Sequence, residues 1–291
     1  MNPTKYEIIL KVVDTNSFSK TAEYFRYSQS AISQTVKSME SEFGITLFHR
    51  TPHGVIPTEA LEKLLPTLYN ITYESRRLNE QLEELADIQN GTIRLGSYVS
   101  VSCYGLPELI YQYCRLYSKV KFELYQLDDI TAVNMLRKGQ IDACIMCDPH
   151  EKGLKFLELY EDPFIVVVPE DFPAVNNRYI PLEELRHTPF IFLDVGYSSY
   201  INEIFDKSGV RPDTIYTMTD DRTILAMVER GFGFSILPKL TLAKTPYKVK
   251  TLYTNPNISR NIGFVVRNGD YNSRALKTFI KFVRNNISVL G

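Results

Sequence analysis

The stretch SFSKTAEYFRYSQSAISQTVKSMESEFGITLFHR, residues 17–50, reads as two short helices set at an angle, followed by the start of a β wing. Ser17 is a natural N-cap for a helix over Phe18–Arg26, whose inward face would be Phe18, Ala22 and Phe25. Ser28 caps a second helix that runs to Phe43, and Gly44 is its stop. Ile32, Val36, Met39 and Phe43 share one face of it, while Ser30, Ser33, Gln34 and Lys37 fall on the opposite face. A polar outer face is in most proteins simply solvated. Here it is short and nearly free of acid, so it can enter a major groove and offer donors and acceptors to base edges. The small Ala22 suits the corner between two such helices. Leu47-Phe48, the turn Thr51-Pro52-His53-Gly54 and Val55-Ile56 then suit a wing hairpin.

The residues Ser17-Phe18-Ser19, Ala22, Ser28-Gln29-Ser30-Ala31, Ser33, Glu40, Gly44, Leu47-Phe48, Arg50, Thr58 and Ala60 follow one another in a specific order. The run resembles the winged helix-turn-helix of LysR-type transcriptional regulators. Thr21 stands where that family usually has a second alanine, Pro57 and Leu61 replace a leucine and a glycine, and His53 takes a common arginine position. The expected contacts with DNA follow from side-chain chemistry. Gln29 and Ser33 are the best base readers, and Ser30 and Gln34 read or position. Lys37 and Arg50 reach phosphates, Ser28 caps the helix beside them, and His53 sits in the wing turn, either solvated or on the DNA backbone.

Composition bounds the rest. The chain of 291 residues is long enough for more than one core, and its 33 basic against 34 acidic residues argue against a protein that coats nucleic acid without specificity. DNA contact must then come from well-placed groups and from a dimer. Met1–Lys11 carries charge and a helical period, which is not the pattern of a signal peptide, and no apolar run is long enough to span a bilayer. The four cysteines, Cys103, Cys114, Cys144 and Cys147, are scattered as in a reducing cytoplasm. Cys144 and Cys147 have CxxC spacing but lie in an apolar, strand-like run without a second pair or a histidine cluster, which points away from metal or redox chemistry. No cofactor motif and no catalytic set emerges, because His49, His53, His150 and His187 lack partners at useful spacing.

A helix over Thr4–Thr15 would support the two-helix unit. Residues 58–89 carry the stripe Leu61, Leu64, Leu68, Ile71, Ser75, Leu78, Leu82 and Leu85 at heptad spacing. Polar and charged residues surround it, so a partner helix from a second copy is expected, with Pro66 introducing a kink or a compensating contact. Beyond Asn90-Gly91 strand-like and helix-like runs alternate: strand Thr92–Gly96, helix Pro107–Tyr117, strand Val120–Leu127, helix Ile130–Lys138, strand Ile141–Met146. Strands Phe156–Leu159 and Phe164–Val168 follow. A second round has helix Leu182–Leu185, strand Phe190–Leu193, helix Ser199–Ser208, strand Thr214–Met218, helix Asp221–Arg230 and strand Phe234–Leu237. Strand Ile262–Arg267 and helix Arg274–Ser288 close the chain. This order predicts two mostly parallel α/β lobes with crossovers near Glu161–Phe164 and Arg260–Gly263, a cleft between them and a last helix returning to the first lobe. The pattern resembles the effector-binding domain of the same regulators, which is similar to periplasmic binding proteins, in Gly139-Gln-Ile-Asp142-Ala-Cys-Ile and Val228-Glu-Arg-Gly231-Phe-Gly233-Phe-Ser-Ile-Leu237-Pro238.

The expected fold is therefore α + α/β. It has a winged helix-turn-helix over 1–58, a linker dimerisation helix over 59–89, and a two-lobed, periplasmic-binding-protein-like effector domain over 90–291. Lobe I would take 90–162 and 264–291, and lobe II 163–263. Ligands of open α/β sheets sit beyond the carboxyl ends of strands, near helix N-termini. That makes Ser97, Ser100, Asp129, Thr131, Tyr197, Ser198 and Thr219 the candidate effector contacts. Ser100 matches a ligand-contact position in the family by its spacing to Leu106-Pro107. For the others N-capping is the competing role. An acid at Asp129 would repel a carboxylate, which disfavours a small organic acid or favours a ligand carrying an amine. The resemblance implies a cytoplasmic, bacterial, non-enzymatic regulator whose partners are promoter DNA, a small-molecule effector, RNA polymerase and its own copies as a dimer or tetramer, with no membrane. The alternatives from other classes are a periplasmic-type solute-binding protein and a small-molecule enzyme on an α/β domain.

Overall fold

The computed structural model describes residues 4–85, 91–174, 178–195, 198–243, 245–254, 257–268 and 273–289. The chain divides into two compact units, residues 1–88 with 138–140, and residues 89–137 with 141–291.

In the first unit, helix α1 (Lys5–Thr15) starts on a capping box. Thr4 Oγ1 accepts from Glu7 N at 3.2 Å, and Glu7 Oε2 accepts from Thr4 N at 2.6 Å. Helix α2 (Phe18–Phe25) is capped by Ser17, and helix α3 (Gln29–Phe43) by Ser28, whose Oγ accepts from Ala31 N at 3.2 Å. Gly44 ends α3 with φ 69°. Strands β1 (Phe48–Thr51) and β2 (Gly54–Pro57) form an antiparallel hairpin with Thr51 opposite Gly54. Gly54 has φ 139°, and a Cβ there would lie 2.3 Å from the Asn16 carbonyl oxygen, so only glycine fits. Ile9, Val12, Ala22, Ile32, Val36, Met39, Leu47 and Leu61 form the core. Thr21, at the position where an alanine was expected, is fully buried yet satisfied: its hydroxyl meets Thr15 Oγ1 at 2.8 Å and the Ser17 carbonyl at 2.8 Å.

Helix α4 (Glu59–Leu85) runs unbroken through Pro66. Its apolar stripe divides in two. Leu61 and Leu68 are buried in the core of this unit, whereas Ile71, Leu78 and Leu82 remain 39%, 56% and 55% exposed.

In the second unit, strand β3 (Gly91–Ser97) pairs in parallel with β4 (Val120–Gln126) and β5 (Ala143–Cys147). Helices α5 (Val99–Tyr104), α6 (Leu106–Leu116) and α7 (Asp129–Arg137) connect them. Strand β6 (Leu154–Pro169) is one continuous strand, not the two predicted. Residues 154–163 pair antiparallel with β12 (Ser259–Arg267), and residues 164–169 pair with β10 (Ser235–Pro238) and β11 (Val249–Thr254). Glu161-Asp162-Pro163 reads as a break because charge and proline are rare inside sheets. Here Arg260 of β12 stands directly opposite Asp162 and neutralises it. These pairings also make the sheet mixed rather than mostly parallel.

Lobe I is completed by α10 (Arg274–Asn285), which lays Leu276, Phe279 and Val283 against Ile93, Leu95, Leu109 and Tyr113. Lobe II adds β7 (Tyr179–Ile180), β8 (Phe190–Leu193), β9 (Thr214–Met218), α8 (Ser198–Ser208) and α9 (Asp221–Glu229). Its main core joins Phe164, Val166, Phe190, Phe205, Phe234 and Ile236. Gly233, inside the Val228–Pro238 motif, has φ 154°, and an added Cβ would meet the Pro189 carbonyl oxygen at 2.2 Å. Helix α5 and strands β7 and β11 were not anticipated. Each is short or carries no clean period.

Candidate nucleic-acid interface and effector cleft

Helix α3 turns Ile32, Val36 and Met39 into the core of the first unit, so the residues between them must face out. Gln29, Ser30, Gln34 and Lys37 are exposed and Ser33 is half-buried. Ser28 Oγ lies 2.9 Å from Ser30 Oγ while also capping the helix. From Gln29 to Met39 the helix carries no acid. The neighbouring acids are occupied: Glu40 Oε1 accepts from Leu47 N at 2.7 Å, and Glu42 pairs with Lys5 at 2.5 Å. Arg50 and His53 are exposed on the hairpin, His53 at its tip. All eight predicted DNA-contact residues thus lie on the first unit, with only Ser33 partly covered.

The predicted effector residues behave less uniformly. A recess of about 460 Å³ in the second unit is lined by Tyr98, Ser100, Asp128, Asp129, Leu193, Thr219, Asp220, Asp221 and Thr241, among others. It therefore brings together Ser100, Asp129 and Thr219 from opposite lobes. A second recess of about 430 Å³ shares Tyr98 and Asp129 and extends to Cys147, Ser199 and Tyr200. Ser97 is not part of either lining: it is buried, and its Oγ meets Ser102 Oγ at 2.5 Å. The segment after β3 is not an open loop of hydroxyls but helix α5, which turns Ser97 into a structural group. Thr131 likewise lines neither recess. Its N and Oγ1 both donate to Asp128, at 2.9 Å each, which is the capping role weighed for it. Tyr197 lies outside the described residues. Ser198 is the first residue of α8.

The group that the sequence reading missed is central. Arg260 and Asp162 are both fully buried. Arg260 Nε and Nη2 donate to Asp162 Oδ2 at 2.9 and 2.7 Å, and Leu240 N donates to Asp162 Oδ1 at 2.9 Å. Arg260 Nη2 also donates to Ser100 Oγ at 3.0 Å, and its guanidinium lies 5.7 Å from the centre of the Tyr98 ring. A buried ion pair survives only when its remaining lone pairs and protons are satisfied, as they are here. The clue was present: one acid and one base, each at the head of an apolar strand, at the two predicted crossovers. Nothing in a single sequence sets them in register.

Tyr98 joins the two recesses. Its hydroxyl donates to the Asp129 carboxylate and accepts from Cys147 N at 3.3 Å. Burial, with the nearby Cys147 and Asp129 acting in the same direction, pushes the Tyr98 phenol far above its usual range, so it stays protonated. Burial also pushes Tyr200 up to about 12. The same cause raises the thiols of Cys144 and Cys147, away from the thiolate that metal or redox chemistry needs.

Comparison with known proteins agrees with this architecture. Residues 4–61 match the family described as bacterial regulatory helix-turn-helix protein, lysR family, and residues 86–288 match the LysR substrate binding domain. The chain belongs to the LysR family: it is a DNA-binding transcriptional regulator with an effector-binding domain. It is 25% identical over 287 residues to the uncharacterized HTH-type transcriptional regulator YvbU of Bacillus subtilis, covering 98% of each chain. Among solved structures, a full-length OxyR variant from Pseudomonas aeruginosa matches with a TM-score of 0.73 at 21% identity, covering 96% of each chain. Full-length CbnR complexed with its target DNA matches with a TM-score of 0.67 at 17% identity, over 97% of this chain and 98% of that one. These two likenesses are of fold. No helix among the described residues is long and apolar enough to cross a membrane.

Proposed function

We propose that the outer face of α3 enters the major groove of a promoter dyad, with Gln29 and Ser33 reading bases and Ser30 and Gln34 reading or positioning. Lys37, Arg50 and His53 hold the flanking phosphates, and Ser28 sets the start of the helix. Residues 1–58 act as the DNA head, 59–89 as the dimerisation helix and 90–291 as the effector domain. The exposed half-stripe Ile71, Leu78 and Leu82 pairs the heads of two copies, alone or within a tetramer. A small molecule in the recess over Ser100, Asp129 and Thr219 shifts the balance between two arrangements of the lobes, and so the spacing of the heads on DNA and their contact with RNA polymerase. The protein works where the bacterial chromosome is, in the cytoplasm, and catalyses no reaction.

One observation carries this reading: an acid-free polar helix face, exposed on a helix whose apolar residues Ile32, Val36 and Met39 are turned into the core. Gel-shift titration of Gln29→Ala on cognate and scrambled promoter DNA is expected to show a loss of discrimination worth about 1–3 kcal/mol. Lys37→Ala is expected to weaken both DNAs alike and to lower the salt slope by about 1. Equal losses on both DNAs for Gln29→Ala would remove base readout by this face.

A further inference from the structure

We infer that the effector taken by this recess is a small organic cation, an amine or guanidine, rather than a carboxylic acid. The inference rests on the reading of the recess as the effector site.

Three features of the lining argue for it. First, a helix N-terminus is where an anion would be expected to bind, and of the helices that begin at the recess the six-residue α5 has no side-chain cap while α7 and α9 are the longer two. The ends of these two are already filled by the chain's own carboxylates. Asp128 accepts from Thr131 N, and Asp220 accepts from Arg222 N at 3.3 Å and Thr223 N at 3.2 Å. Second, the net charge of the lining is negative. Asp128, Asp129, Asp220 and Asp221 face the larger recess, and no Lys, Arg or His stands among its described lining residues. Arg260, which reaches Ser100, is cancelled by Asp162, and Arg222 lies close enough to Asp221 to act on it. In the second recess Arg137 is paired with Glu151 at 2.5 Å. Third, the lining holds a polar group that no described residue uses. Thr241 is 2% exposed, lines the larger recess, and has no hydrogen-bond partner among the described residues. A hydroxyl on a residue so enclosed, in the lining of the recess, is placed to meet a ligand there. Ser100, 3% exposed beside it in the lining, accepts from Arg260 and retains its own proton to donate. A carboxylate entering here would displace water against this cluster of aspartates, of which Asp221 is held back from ionising by burial and by Asp220 beside it, whereas an ammonium would gain acceptors. Among the described residues no group of three or more carboxylates, histidines and cysteines is placed to hold a metal ion.

The test uses the full chain, with putrescine, ethanolamine, ethylene glycol and succinate as probes, read by thermal shift and calorimetry at constant ionic strength. The two amines are expected to stabilise the protein and succinate is not. Asp129→Asn is expected to weaken the amines by roughly tenfold or more, the size of one charge-assisted hydrogen bond. Thr241→Val, which changes no charge, is expected to weaken them as well. Stabilisation by succinate that Thr241→Val removes would overturn the cation assignment and leave the recess as the effector site. Amine binding that survives both substitutions would overturn the site itself. No response to any of the four probes would count against the cation assignment.

Discussion

The outer face of α3 and the buried centre around Arg260 are built on opposite principles. The first is a single helix of 15 residues, and its surface is whatever its inward period leaves over. The second is assembled from residues as far apart as Ser100 and Arg260, joined through a sheet register that only the folded chain possesses. A surface of the first kind can change chemistry one residue at a time with little effect on folding. A centre of the second kind cannot, because each buried charge depends on partners in other strands.

That contrast can be broken by measurement. The largest effect is expected at the ion pair: Arg260→Ala leaves Asp162 charged and buried, and should lower the unfolding free energy by about 3–5 kcal/mol in urea titration. Replacing both partners together, as Arg260→Met with Asp162→Leu, should recover most of that loss. If Arg260→Ala were as mild as a surface substitution, the recess would not be anchored by this pair. Next comes the exposed half-stripe of α4. Leu78→Ser is expected to weaken self-association by about 1.5–3 kcal/mol per side chain, seen as a shift toward monomer in sedimentation, with the thermal stability of the effector domain unchanged. Smallest is Ser28→Ala, which removes one cap and should cost about 1 kcal/mol in the first unit alone. An equal loss in the second unit would mean that the two regions are not energetically separate.

Legibility in the sequence follows the same division. Every element of the first unit was readable because caps and periods are local: Thr4, Ser17, Ser28 and Gly44 each mark a boundary within three or four residues of the pattern they end. Thr21 departed from expectation only in side chain. Its hydroxyl is absorbed by Thr15 and Ser17, so the fold is undisturbed. In the second unit the order of strands and helices was readable from apolar runs, and the rule that ligands sit at strand ends singled out Ser100, Asp129 and Thr219, which the folded chain gathers in one recess. The same rule over-reached at Ser97 and Thr131, since it cannot tell a free hydroxyl from one already bonded. Helix α5 was missed because Ser97–Ser102 has the composition of a loop and packs as a helix only on the rest of lobe I. The continuity of β6 was missed because Asp162 looks forbidden until Arg260 stands across from it.

What the amino-acid order alone determined was the head of this regulator: which side of α3 meets its own core and which side is left exposed. Those choices depend on neighbours three and four residues away, within reach of a single helical turn. What the tertiary structure decided was the interior of the effector domain. There Asp162, Arg260, Ser100 and Leu240 become partners, and Thr241 is enclosed without one among the described residues. Charge inside a protein takes its meaning from whichever group lies opposite, and strand register, not sequence proximity, chooses that group.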